Sequence, residues 1–538
     1  MESLKHKLPS GVEEEDAFPE VKRARPAADL PPEMWELIFR NLNAYWLRSA
    51  RLTCSSWDQI IRGSSRLMSK FILTLTSDNF MDDRKMVRNL LATGGGYTRA
   101  KMYFEFIGIY KPRENWLKPL GTTLRMLTLE FSGTEVLLTG LLKELPNLKQ
   151  LKLIVESHRF RSVVPDFRLD KLDELSITDP VPNILSFCRM VCPQLKAFKL
   201  PDYCGAKSKL KKEIVTLISS TSRTLKELTI RVSKEIVDEL VVIEDLRLVR
   251  LAVHGDADDV LRFVKQQPII EDLEISRNIG FSTLDEIISV LPKLKKLQVT
   301  IVNRGIQKTF SFMKLLTIES LTIRIDGWFM PIGANHLLKL TDCNLTNLRS
   351  LSLCRCNLTS QFLSDLQRTN VSELTLESCS LPRLSDLTPI KSLNHVELIS
   401  NAYLNGPADD DSRCSSSVRS LKISEHNRPN LLAVAKIFPN LECYEAAGNS
   451  FIDEGILEGI LQHSPLVKEL RMQFHSLFHF DDVNCLRYSV LRFPALETMV
   501  IHCSKEKRAR FVESLRGESC NVAVEFRPLH IFSDVYVP

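Results

Sequence analysis

At 538 residues the chain is long enough for several domains or one extended repeat array. Hydrophobic residues make up 44% and charged residues 25%, ordinary proportions for a soluble protein that buries a core. Against 66 acidic residues stand 71 basic ones, and a net charge of +5 is too small an excess to argue for a nucleic-acid binder, so electrostatic partners must be read from local patches.

Thirteen cysteines are scattered with no CxxC pair, which argues against a disulfide framework and for a reducing compartment, cytoplasm or nucleus. The first residues, "MESLKHKLPSGVEEEDAFPE", carry no apolar stretch of the signal-peptide kind. No run approaches the ~18 apolar residues of a membrane span, so no membrane partner is expected. Residues 1–28 are polar, with an acidic run Glu13–Asp16 and the basic cluster "KRAR" at 22–25. They have little to bury and are expected to form a disordered tail. The basic cluster reads as solvated charge or as a nuclear import signal.

Residues 30–61, "LPPEMWELIFRNLNAYWLRSARLTCSSWDQII", have helical periodicity. Pro31 and Pro32 suit a helix entrance, and Glu33 favours the positive end of the helix dipole. On a helical wheel Met34, Trp35, Leu37, Ile38, Phe39 and Leu42 spread over roughly 200°, about twice what one core contact needs. Periodicity leaves two readings open: a helix clamped between two layers of its own fold, or a helix with one face inward and one face for a partner.

Leu30, Pro31, Glu33, Ile38, Phe39 and Leu42, followed by Arg51, Leu52, Cys54 and Trp57, resemble an F-box in order and spacing. The loop at Asn43, Ala44 and Tyr45 departs from the family, which usually has an acidic residue near there. The resemblance implies a small three-helix unit over 29–75 that docks onto a Skp-type adaptor, and through it a cullin and a RING subunit. It implies adaptor contacts at Leu30, Pro31, Glu33, Leu37, Ile38, Leu42, Leu52 and Trp57, with the aliphatic side chains filling grooves between adaptor helices. Phe39 and Trp46 are expected inside the unit. Residues 76–120 read as a linker and N-terminal cap.

Beyond residue 120 one pattern, apolar-x-x-apolar-x-apolar, recurs sixteen times, from "LRMLTL" at 124 and "LKQLKL" at 148 to "VKELRM" at 467 and "LETMVI" at 496. Start-to-start spacings of 22 to 30 residues are those of a solenoid. The last two apolar residues alternate, as on one face of a short strand. Between copies lies helix-like spacing, as in "LDEIISVLP" at 284–292 and "LLAVAKIFP" at 431–439. Proline at 146, 193, 292, 439, 465 and 494 stops the helix before the next strand. No single turn buries its own apolar face, so stacked neighbours must do it.

These copies resemble leucine-rich repeats over 121–504, most closely "LRSLSLCRCNLTS" (348–360) and "VSELTLESCSLPR" (371–383). The resemblance implies that Cys356, Cys379, Asn278, Asn401 and Asn449 bond the backbone where each strand turns outward. Glu156, Pro180, Tyr203 and Val302 hold that place in other copies. The expected fold is an α/β solenoid with an inner parallel sheet and outer helices, closed by a C-terminal cap over 505–538.

Side chains between the buried strand positions face the concave surface. The candidate substrate contacts there are Lys152, Lys199, Arg231, Glu274, Arg324, Glu377, Lys422 and Arg471. Lys149, Lys152, Lys196 and Lys199 form a basic patch, and Glu271, Asp272 and Glu274 an acidic one, with solvated sheet surface as the alternative for each. The mixed signs give no nucleic-acid stripe. An F-box followed by such repeats resembles the substrate receptor of an SCF-type ubiquitin ligase, whose chemistry belongs to other subunits. A repeat scaffold or inhibitor acting outside a ligase is the second reading.

No catalytic residues, cofactor or metal are expected. "ATGGGYT" at 92–98 has neither GxGxxG nor a following Lys-Ser/Thr. His475 and His479 stand four apart without a third ligand. The acidic, serine-rich stretch 401–417 reads as an exposed loop, with partner contact or phosphorylation as the alternative.

Overall fold

The computed structural model describes residues 30–76, 96–104, 120–132, 134–155, 160–201, 208–302, 310–311, 317–326, 338–339, 345–403, 416–424, 434–446, 454–473, 492–502, 513 and 522–527. The basic cluster at 22–25, Glu156, Tyr203, Asn449, the pair His475 and His479, and most of the 401–417 loop lie outside the described residues.

The N-terminal unit is helical: α1 (Pro32–Arg40), α2 (Ala44–Arg51), α3 (Ser55–Gly63) and a short α4 (Ser65–Met68) that extends the expected three helices to four. Pro32 opens α1 where its missing N–H costs nothing. Asn43 caps α2, its Oδ1 accepting from the Trp46 amide at 3.1 Å, and the Ser64 hydroxyl accepts from the Leu67 amide at 3.3 Å to start α4. Phe39, Leu47, Ala50, Ile61, Leu67 and Met68 form the core, with Trp35, Leu42, Trp57, Ile60, Phe71 and Tyr97 packed against it.

Beyond it the described residues build a parallel sheet of 19 strands, with two small two-stranded parallel sheets, Phe310–Ser311 with Leu338–Lys339 and Ser380–Leu381 with Ala402–Tyr403. All sixteen copies of the sequence pattern form strands, from Met126–Phe131 to Thr498–His502, and each pairs with the next in chain order. The sheet runs past both ends of the pattern. Leu73–Thr76 and Arg99–Phe104 pair with one another and then with Met126–Phe131, so the segment read as a linker and cap contributes a sheet strand. At the other end Ala523–Arg527 pairs with Thr498–His502.

In-register stacking makes continuous apolar rungs. One runs Leu127, Leu151, Leu175, Phe198, Leu228, Leu251, Leu273, Leu297, Leu321 and Leu351. Every one of these side chains is buried. Helices such as Glu135–Lys143, Pro182–Val191, Ser208–Thr221, Ala257–Lys265 and Phe281–Val290 turn their apolar sides to these rungs and cover the outer face. Pro193, Pro292 and Pro465 each stand two residues beyond a helix end.

The turn from strand to outer side is visible where the repeats are most regular. Arg355, Ser378 and Ser400 have φ of 59°, 51° and 49°, the left-handed region, and each precedes a ladder residue. Cys356, Cys379 and Asn401 follow them, all buried. Asn401 accepts from the Cys379 amide and donates to the Leu376 carbonyl, both at 2.8 Å, while the Cys379 thiol donates to the Leu353 carbonyl at 3.3 Å. Asp179 repeats the left-handed turn with φ 53° before a buried Pro180, which fills the place without a side-chain hydrogen bond to offer.

Tyr97 packs against both the helical core and the solenoid core. The Gly96 α-carbon lies against Met68 and the Arg62 carbonyl, where a methyl group would sit at 3.5 and 3.6 Å. The helical unit therefore rests directly on the first strands of the sheet.

Candidate functional site: two binding surfaces

The first surface lies on α1. Its inward side carries an aromatic cluster: Trp35 and Trp57 centroids are 4.6 Å apart, Trp35 and Phe39 5.7 Å, and Phe39 meets Trp57 edge-on at 5.4 Å. A polar frame holds the helices. Asp58 accepts from Arg51 at 2.8 Å and from Arg62 at 2.5 Å, Glu36 accepts from Arg40 and Ser64, and the Lys70 ammonium donates to the carbonyls of Arg40 and Leu42. Donation from Arg40 and Ser64 holds the Glu36 carboxyl below its usual range, and burial lowers Lys70.

The outward side is apolar. Leu30, Met34, Leu37 and Ile38 are 38%, 46%, 50% and 40% exposed, and Leu52, at the end of α2, is 83% exposed. Pro31 and Glu33 are exposed beside them. The wheel ambiguity thus resolves into one inward and one outward face. Two side chains expected at the adaptor surface are only partly exposed: Trp57 is half-buried in the aromatic cluster, and Leu42 is half-buried against the helical core. Both are drawn inward because the short helices have few other large side chains to close their core. Met34 takes an outward place that the residue choice missed. Its spacing of three and four from Leu37 and Ile38 was the available signal. Trp46, expected inside, is half-exposed.

The second surface is the inner face of the sheet. The register sets one row across it: Thr74, Lys101, Thr128, Lys152, Ser176, Lys199, Thr229, Ala252, Glu274, Gln298, Thr322, Ser352, Thr375, Glu397, Lys422, Glu445 and Arg471. Arg231, Arg324 and Glu377 stand one row further along their strands.

Most charges on this face are neutralised across strands. Lys199 meets Glu174 at 2.5 Å, Lys422 meets Glu397 at 2.6 Å, Arg324 meets Glu377 at 3.5 Å, and Arg471 meets Glu445 at 3.3 Å and, within its own strand, Glu469 at 2.8 Å. At the strand entrances Lys196 pairs with Asp173 and Lys295 with Glu271, both at 2.8 Å. Glu274 accepts from Ser276 and Gln298. The expected basic patch is therefore largely paired at its Lys196 and Lys199 end, while Lys149 and Lys152 stay exposed. A cavity of about 240 Å³ lies at the N-terminal end of this face and includes Arg99 and Lys101. Sequence reading passed over these two because their strand follows "Tyr-x-x-Ala-x-Met", with Tyr97 and Ala100 where other copies have large aliphatics.

Among the described residues no His, Cys, Asp or Glu cluster could hold a metal ion, and no helix is long and apolar enough to cross a membrane.

The two surfaces define a protein of interaction modules, a small helical docking unit carried on a repeat solenoid. Residues 27–74 match the F-box-like family model. The chain thus joins an F-box-like domain to a leucine-rich-repeat solenoid, the arrangement of an F-box/leucine-rich-repeat protein. No curated protein matches the chain. Similar solved structures include the TLR13–ssRNA13 complex, at 13% identity and TM-score 0.38, covering 86% of this chain and 85% of that one. Another is the leucine-rich repeat-containing protein LegL7 from Legionella pneumophila, at 16% identity and TM-score 0.31, covering 53% of this chain and 95% of that one. The repeat assignment rests on this chain's own rungs and turn residues.

Proposed function

We propose that this protein is the substrate-recognition subunit of an SCF-type cullin–RING ubiquitin ligase. The F-box-like domain would bind a Skp-type adaptor, and the inner face of the solenoid would hold a protein substrate for ubiquitination by other subunits. The observation that carries the reading is the exposed apolar face of α1 within a segment matching the F-box-like family. Large aliphatic side chains that their own fold leaves roughly half exposed gain on the order of 1 kcal/mol each when a partner covers them. Helices presenting such a face dock into grooves. The working compartment under this reading is the cytoplasm, the nucleus or both.

The test is capture of recombinant adaptor and cullin by the full-length protein, followed by substrate half-life after its depletion. Adaptor capture with shortened substrate lifetimes in the protein's presence is the expected result. A wild-type chain that fails to capture any Skp-type adaptor overturns the ligase reading. Capture of adaptor without any change in partner lifetime would mark a scaffold instead.

A further inference from the structure

The outer side of the solenoid carries a groove of about 1140 Å³ where the helices Ser208–Thr221 and Lys234–Leu240 end and lead into the next strands. None of its lining residues belongs to the inner-face row. Its chemistry follows from one stretch, "KEIVDELVVIED" at 234–245, which holds five acidic residues against one basic. Packing of Ile236, Val237 and Leu240 into the core turns Asp238 and Glu239 outward. The helix then ends, and an apolar turn at 241–243 follows with Glu244 and Asp245 behind it. Val242 is 72% exposed, and Val215 and Ile243 line the groove with it. Two of the carboxylates are already answered: Asp238 meets Arg262 at 2.7 Å, and Asp245 meets Arg223 at 3.0 Å. Glu239 and Glu244 are exposed and form no ion pair among the described residues. One unopposed carboxylate therefore stands on each side of Val242 along the chain. Neither helix has a basic residue in its last turn, so their carbonyl ends add negative potential to the groove.

We propose that this groove docks a basic segment of a second protein, which seats one aliphatic side chain on Val215, Val242 and Ile243 and sets a lysine or arginine on either side of it against Glu239 and Glu244. The proposal does not depend on the ligase reading: it assigns a partner to the outer side and leaves the inner face free. Charge complementarity selects the occupant. A neutral or acidic segment would leave Glu239 and Glu244 unanswered, and a negative rim steers a cationic partner inward. Nucleic acid is repelled by the same carboxylates. A metal ion is a poorer occupant, because no group of His, Cys, Asp and Glu among the described residues could hold one. A single exposed valine elsewhere on the surface would need no partner. This one lies in a groove, between two unpaired carboxylates and beside two helix ends.

The full-length protein is titrated with three decapeptide pools. The first has a central leucine and flanks drawn from Lys, Arg, Ser and Ala. The second keeps the leucine and draws its flanks from Asp, Glu, Ser and Ala. The third keeps the basic flanks around a central serine. The first pool should bind at least about tenfold more tightly than either of the others, and added salt should weaken it. Glu239→Lys/Glu244→Lys should weaken the first pool at least about tenfold, and Val242→Ser about threefold or more. Glu239→Asp/Glu244→Asp should keep the preference, as should Glu458→Lys on the distant outer helix Glu454–His463. All these side chains are exposed, so thermal unfolding should not change. Binding of the first pool no tighter than the second overturns the proposal, as does a preference that survives the double lysine variant. Equal binding of the first and third pools would mean attraction by charge alone and overturn the seated aliphatic residue. Spermine binding as tightly as the first pool would make this a site for small polycations and overturn the peptide assignment.

Discussion

Asn401 does the work of two backbone partners. Its amide satisfies the Cys379 N–H and the Leu376 carbonyl at the turn after Glu373–Glu377, in a buried site. Asn401→Ala leaves a buried donor and a buried acceptor unpaired, so a loss of about 1–3 kcal/mol is expected in a urea denaturation series. The cysteines separate by environment. Cys188 is fully buried and burial pushes its thiol up to about 12, with Cys192 raised beside it. Cys54 is exposed, and hydrogen bonds from the Ser56 hydroxyl and the Trp57 amide hold its thiol below the usual range. Among the described cysteines, iodoacetamide at pH 8 should therefore modify Cys54 first and leave Cys188 and Cys192 intact until the chain unfolds, as peptide mapping would show.

At the scale of the element, α1 divides its apolar side chains between two tasks. Phe39 closes the helical core and Leu37 faces solvent. Phe39→Ala should cost about 3–5 kcal/mol of F-box stability. Leu37→Ala should change stability by no more than about 0.5 kcal/mol. For adaptor capture, Leu37→Asp with Ile38→Asp should weaken binding by at least about tenfold, because each places a charge where the partner would bury an aliphatic side chain. Thermal unfolding and adaptor titration on the same variants separate the effects. Trp57→Ala should behave like Phe39→Ala, reducing adaptor capture only through lost folding. Equal losses of capture without lost stability would place Trp57 at the interface instead.

Ion pairs between successive repeats, on the sheet side and between the outer helices, lace the described solenoid and set a pH response. Hydrogen bonds from Lys295 and Lys468 lower the Glu271 and Glu442 carboxyls, and Glu235 is held down at about 2 by Ser233, its own backbone and Lys211. Each is lower folded than unfolded, so its contribution is fully present above about pH 4.5 and lost as pH falls through the folded value. Circular dichroism from pH 7 downward should show little loss until about pH 4.5 and a progressive loss toward pH 2. The pairs are solvent-exposed, so salt should blunt the effect.

What was legible from sequence was whatever repeats along the chain. Leu127, Leu151 and Leu175 recur because each turn must offer an apolar residue to the next, and all sixteen copies became strands. The Cys356, Cys379 and Asn401 places were legible for the same reason. The end strands Leu73–Thr76, Arg99–Phe104 and Ala523–Arg527 were not. Lys70, the Tyr97 and Ala100 pair, and Asn521 break the apolar pattern where a turn has only one neighbour to pack on, or packs on the helical unit.

The sequence by itself determined the solenoid, its strand rows and the surplus of apolar side chains on α1, since period and composition are local properties of the chain. Only the tertiary structure decided which of those side chains faces water, because Trp35, Phe39 and Trp57 compete for one small core across two helices. Only it decided that Lys199 is neutralised while Lys101 and Lys152 are not. Register across strands some 50 residues apart in the chain sets which charges meet, and no local pattern carries that information.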